Sequence, residues 1–123
     1  MRILYSSNAM WVSSGYGVQG KHLLPRFQAL GHEVAMFAWY GLQGGFMKMG
    51  EIPCYPMFRD WYGNDVIAHH AKNFKADLVI TLIDIWVLDP ETETRCGVPW
   101  LAWFPIDHAP VSEAILELSL IHI

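Results

Sequence analysis

The chain has 123 residues, 53% hydrophobic and only 16% charged, a balance that excludes an intrinsically disordered segment and suits one domain with a real core. Its formal net charge of −4 supplies no basic face for a phosphate backbone, so nucleic acid is not an expected partner. No apolar run reaches the roughly 20 residues of a membrane-spanning helix, although peripheral contact with a membrane stays open.

Residues 2–6 read as a short apolar strand that starts almost at the N-terminus, without a signal-peptide pattern. Residues 8–20, Asn-Ala-Met-Trp-Val-Ser-Ser-Gly-Tyr-Gly-Val-Gln-Gly, then form a glycine-rich turn that opens a helix. Free backbone N–H groups and the positive end of a helix dipole suit an anion, above all a phosphate. The helix is expected from residue 16 or 17 to residue 30, with Leu23, Leu24, Phe27 and Leu30 as its buried stripe and a kink at Pro25. Gly31 should end it as a left-handed cap. Residues 32–39 follow as a continuous apolar strand of the kind found in parallel sheets covered on both faces.

Residues 40–50 hold four glycines and read as a loop. Residues 51–55 read as a third strand near a sheet edge, because Pro53 interrupts it. After an aromatic loop containing Phe58, Trp61 and Tyr62, Asn64 should cap a helix to residue 74, with Val66, Ile67 and Ala71 toward the sheet. His69 and His70 point about 100° apart on that helix and cannot share one metal; both read as surface residues. Residues 77–82 are the clearest buried strand. Asp84 and Trp86 lie just past its end, and a helical turn starts around Pro90. Residues 100–105 read as another buried strand, with Asp107 and His108 just beyond it and a final helix from residue 110 to about 118.

This alternation implies an α/β fold, a doubly wound and mainly parallel sheet, in which ligands bind beyond the carboxyl ends of the strands. Three groups should meet there: residues 13–17, Asp84 with Trp86, and Asp107 with His108. His108 is a candidate hydrogen-bond donor or general base, and Asp84 a candidate for sugar hydroxyls. The Gly15-x-Gly17-x-x-Gly20 spacing matches the letters of a dinucleotide fingerprint only weakly. The connection before it is too long, the third glycine lies inside the helix, and no acidic residue ends the second strand to hold a ribose. No HxxxH, HExxH or DxD pattern supports a metal. Cys54 and Cys96 lack CxxC spacing, so reduced thiols and a cytoplasmic location are expected.

Residues 118–123, Leu-Ser-Leu-Ile-His-Ile, neither cap a helix nor finish a sheet. They are what a common transposase sequencing-adapter end, CTGTCTCTTATACACATC, encodes. They are expected to be a non-native tail on an interrupted reading frame, with a natural final strand as the alternative.

Several motifs resemble the start of GT-B glycosyltransferases of the retaining, family-four type. They are Ser13-Ser14-Gly15-Tyr16-Gly17-Val18-Gln19, His22-Leu23-Leu24-Pro25, Leu30-Gly31-His32-Glu33-Val34 and Trp103-Phe104-Pro105-Ile106-Asp107-His108. The resemblance implies that residues 1–117 are most of a Rossmann-like, acceptor-side domain whose donor-binding C-terminal domain is absent. It implies transfer of a sugar from a nucleotide-diphosphate sugar to an acceptor, with retention and without a metal or other cofactor, and a fragment inactive alone. Ser14, Gly15, Tyr16 and Gly17 would face the donor diphosphate. His108 would approach the transferred sugar, whereas Asp84 matches no family role; Asp84, Trp86 and Asp107 are candidate sugar or acceptor contacts from their positions past the strand ends. The surplus of exposed Trp and Met would be a cleft or domain face. Two other readings remain: a nucleotide- or dinucleotide-binding domain of an oxidoreductase or epimerase, and a non-catalytic α/β binding module.

Overall fold

Both sides of β1 (Arg2–Asn8) and β2 (Glu33–Tyr40) carry buried side chains, so these strands need cover on both faces and stand in the middle of a sheet. A computed structural model describes residues 1–42, 45–57, 63–83 and 91–103, apart from the side chains of residues 92–94. The expectations for Phe58, Trp61, Tyr62, Asp84, Trp86, Asp107, His108, the last helix and residues 118–123 fall outside the described residues.

The other elements are α1 (Gly15–Ala29), β3 (Met47–Met49), β4 (Ile52–Pro56), α2 (Ile67–Phe74), β5 (Leu78–Leu82), α3 (Glu91–Cys96) and β6 (Trp100–Trp103). The sheet runs β3-β4-β2-β1-β5-β6. Every pairing is parallel except β3 with β4. The chain first builds outward from β1 through β2 to β4, then returns to the other side of β1 with β5 and β6. The order therefore reverses between β1 and β5, and the crevice that an open α/β sheet offers to ligands lies beyond their carboxyl ends.

Alternate residues divide the core into two layers. Ile3, Tyr5, Val34, Met36, Ala38, Ile80 and Leu82 pack with Leu24 of α1. Leu4, Ala35, Phe37, Tyr55 and Val79 pack with Ile67, Ala71 and Phe74 of α2 and Cys96 of α3. Helices thus cover both faces, as the α/β reading expects.

α1 corrects the expected stripe. Its buried residues are Gly17, Gly20 and Leu24, Leu23 and Phe27 are only half-buried, and Leu30 is exposed. The reason is distance: a Cβ on Gly20 would already lie 3.1 Å from Tyr5 Cε1, so small residues bring the helix axis close to β1. The helix runs on past Pro25. Gly31 ends it at φ +91°, with its N–H on Gln28 O (3.0 Å) and the His32 N–H on Phe27 O (3.1 Å). This pair of bonds is a Schellman motif and satisfies two late carbonyls.

Four other expectations change. The loop at residues 40–50 contains β3, which folds back on β4 through a turn at Gly50 (φ +61°). β4 therefore lies next to the edge strand, near the edge as expected from Pro53. Asn64 does not cap α2: the helix starts at Val66 without a side-chain cap, and the Ile67 N–H bonds to Gly63 O (3.0 Å). β6 is an edge strand among the described residues, with Trp100 buried but Leu101 and Trp103 exposed. His70 is buried, contrary to the surface reading, because it fills the space between Phe37 and Tyr55, with ring centroids 5.1 and 4.8 Å away. His69 is exposed, as expected.

At the amino ends of the strands, Arg2 ties the layers together. Its N–H bonds to Asp77 Oδ2 (2.8 Å), its Nε to Phe74 O (2.8 Å), and its guanidinium pairs with Glu33 and lies 4.2 Å from the centre of the Phe74 ring. These bonds tie the amino end of the sheet to its flanking layers. Cys54 and Cys96 are both buried and form no disulfide. No helix among the described residues is long and apolar enough to cross a membrane.

Candidate functional site at the carboxyl ends of β1 and β5

β1 ends in three consecutive buried polar residues, Ser6, Ser7 and Asn8. Buried polar groups need partners, and two of these residues find them at the rim. Ser7 Oγ donates to Leu82 O (2.8 Å), joining the strand ends on either side of the crevice. Asn8 lies past a register shift between β1 and β2, and its Nδ2 donates to Ser14 Oγ (2.7 Å).

Ser14 is the N-cap of α1, with extended backbone (φ −107°, ψ 166°) and its Oγ accepting from the Gly17 N–H (3.1 Å). A serine hydroxyl has two lone pairs and one O–H. Asn8 and Gly17 occupy both lone pairs, so the O–H is left to donate elsewhere. Asn8 Oδ1 is buried and has no hydrogen-bond partner, in a residue only 8% exposed. Turning the amide over would place Oδ1 on the Ser14 hydroxyl and orphan Nδ2 instead. Either orientation leaves one buried polar atom of Asn8 unpaired, at a typical cost of about 1–3 kcal/mol.

The helix end above this pair is open. Gly15 is exposed, and a Cβ placed there would meet nothing within 4 Å. No acidic side chain stands in the first turn of α1, so nothing on the helix neutralises its positive end. Gly17 differs from its neighbour. It is buried, its N–H is taken by Ser14, and its Cα faces the Val12 carbonyl too closely to admit a Cβ. Tyr16 is half-buried against both core layers.

The connection from β1 to α1 is fixed to the end of β2. The Ala9 N–H bonds to Tyr40 O (2.7 Å), the Val12 N–H to Ala9 O (3.0 Å), and Trp11 Nε1 to Gly41 O (3.1 Å). Gly41 has φ +98°, and a Cβ there would fall 2.6 Å from Val12 Cγ2. A cavity of about 380 Å³ opens beside this connection.

Of the expected site residues, the structure brings Ser14, Gly15, Tyr16 and Gly17 together at the rim. Asp84, Trp86, Asp107 and His108 lie outside the described residues. Asn8 and Ser7 were legible only as polar residues closing an apolar strand; the sequence marks Asn8 merely as the start of the glycine-rich stretch. A charge signal also exists. None of the 12 acidic residues falls within residues 1–32, which contain Arg2, Lys21 and Arg26. No group of three or more metal-ligating side chains occurs among the described residues.

Away from the rim, burial pushes the Tyr5 phenol up to about 12. Burial also pushes the His70 imidazole below its ordinary value, partly offset by its bond to Pro56 O (2.9 Å). Comparison with protein-family models and with curated proteins finds no match for this chain.

Proposed function

We propose that the chain is the acceptor-side, Rossmann-like half of a retaining GT-B glycosyltransferase, acting with a donor-binding half on a nucleotide-diphosphate sugar. The observation that carries this reading is the uncompensated N-terminus of α1 at the β1–β5 crevice, with the Ser14 hydroxyl, the exposed Gly15 turn and an unpaired atom of Asn8 gathered there. Such a group suits an anion with several acceptor oxygens. A diphosphate would accept from first-turn backbone N–H groups and from one side-chain donor, either the Ser14 O–H or, with the Asn8 amide turned so that its Oδ1 accepts that O–H, the freed Asn8 Nδ2. The Gly17 N–H stays on Ser14 and serves to hold the cap. Sequence resemblance assigns His108 to the transferred sugar; Asp84, Trp86 and Asp107, which the sequence sets just past strand ends, are the proposed sugar or acceptor contacts. The reading requires neither metal nor cofactor.

A dinucleotide-binding domain is the second reading. The strand order favours it, and so does Gly20, which packs on Tyr5 as the third glycine of that fingerprint packs on its strand. Against it stand the connection through residues 9–14 and the Tyr40 end of β2, where an acidic ribose partner is needed.

The test is to read the source DNA past codon 117, express the frame found there and assay it with a panel of nucleotide sugars. Transfer or donor hydrolysis that falls at least about a hundredfold in His108→Ala supports the reading. A natural stop codon, or reduction of a nicotinamide cofactor in place of sugar transfer, overturns it.

A further inference from the structure

We propose that the cavity beside α1 takes a small anionic amphiphile, its apolar body against Trp11 and its acid group on Lys21, and that this molecule is the acceptor. The acceptor role rests on the glycosyltransferase reading; the ligand chemistry does not.

The walls are Met10, Trp11, Val12, Val18 and Met49, with Ser13 and Lys21 as the polar residues. At about 380 Å³ the space falls among small-ligand pockets, which span roughly 300–1,000 Å³ and combine apolar walls with a few polar groups. Trp11, Val18 and Met49 remain 38%, 45% and 36% exposed, so apolar surface stays in water until something covers it.

The pocket is preformed. Trp11 is pinned through Nε1 to Gly41 O, and Gly41 holds Val12 and Ala9 at distances that leave no room for a Cβ. A wall already fixed loses little entropy on binding.

The charge selects the ligand's sign. Lys21 makes no ion pair among the described residues, and none of the residues lining the cavity is acidic. In a chain of net charge −4, this is a local cationic spot on an apolar cavity. The concavity fits a discrete molecule better than a flat bilayer surface. Ser13, next to the α1 cap, lines the cavity's near side. A ligand seated there would end close to the crevice where the donor diphosphate is proposed.

Two fluorescent probes separate these contributions: anilinonaphthalene sulfonate, an anionic aryl amphiphile, and its neutral counterpart phenyl naphthylamine. Both should bind the folded chain saturably at one site. Trp11→Ala should weaken both by about tenfold or more. Val18→Glu, on an exposed helix position that leaves folding intact, should weaken the sulfonate more than the neutral probe. Lys21→Met should weaken only the sulfonate, by about threefold as for an exposed ion pair, and Lys21→Arg should restore it. Equal weakening of both probes in Lys21→Met, or unchanged binding in Trp11→Ala and Val18→Glu, overturns the proposal. So does uptake by phosphatidylglycerol-containing vesicles that depends on the same residues and displaces the sulfonate, since the face would then be a membrane contact. Probe binding that survives while sugar transfer fails would remove the glycosyltransferase reading and leave the pocket.

Discussion

α1 and α2 cover opposite faces of the same sheet by opposite means. α2 buries large groups, Ile67, His70 and Phe74, around Ala71. α1 buries Gly17, Gly20 and a single large residue, Leu24. The α2 face is filled by side chains, and its rings interlock through Phe37, His70 and Tyr55. The α1 face is close-packed backbone, with the helix drawn against Tyr5. Drawing α1 inward brings its capped N-terminus against the end of β1, where Ser14 meets Asn8, and leaves Val18 and Lys21 exposed on its outer side. One face holds the fold together, and the other presents backbone donors and a pocket.

The largest test of this contrast is Gly17→Ala. The new methyl meets the Val12 carbonyl, a backbone atom that cannot swing away, so stability should fall by about 3 kcal/mol in urea unfolding. Ile67→Val on α2 should cost about 1 kcal/mol. A larger loss on α2 than on α1 would erase the distinction. Next comes Ser14→Ala, which removes the cap and strands Asn8 Nδ2; a loss of about 1 kcal/mol is expected. No loss would mean that the Ser14 hydroxyl does not hold the helix start.

The smallest effect is a pH dependence confined to the α2 face. His70 is held below its ordinary value by burial, so the unfolded chain binds its proton first as pH falls. Its contribution is complete above the unfolded value near 6.5 and is lost as pH drops through the folded value. The exposed His69 and Asp65 on the same stretch face it electrostatically in opposite senses, while Tyr55 and Phe37 from the sheet bring no formal charge at these pH values. Thermal midpoints measured from pH 7.5 to 5 should decline, and His70→Gln should flatten the decline. An equal slope in the variant would assign the effect to other groups.

Much of the fold was legible because periodicity follows burial. The apolar runs around Leu4, Phe37 and Val79 are the central strands, and Gly31 ends α1 where its type predicts. What escaped the sequence has physical causes. Leu30 fits the helical stripe by spacing, yet the helix ends before it reaches the sheet. Glycine scores as non-apolar, so Gly17 and Gly20 hide the face that α1 buries. Met47 to Met49 form a strand only because β4 offers an antiparallel edge, a long-range effect that no local window contains. His70 shares its residue type with the exposed His69 and differs only in which way the helix turns it. In the site, the glycine-rich stretch was visible, but the partner of its cap was not. Asn8 acquires its role from a register shift between strands.

The central claim is that the α1 N-terminus faces a diphosphate. Gly15→Asp isolates it, assayed in the frame read from the source DNA. The position is exposed with no neighbour within 4 Å of an added Cβ, and a carboxylate in the first helical turn should raise stability by about 0.5–1 kcal/mol. The same carboxylate would repel a diphosphate. A variant that melts no lower than the parent while its kcat/KM for the nucleotide sugar falls at least about tenfold is the predicted result; undiminished sugar transfer in that folded variant would contradict the account.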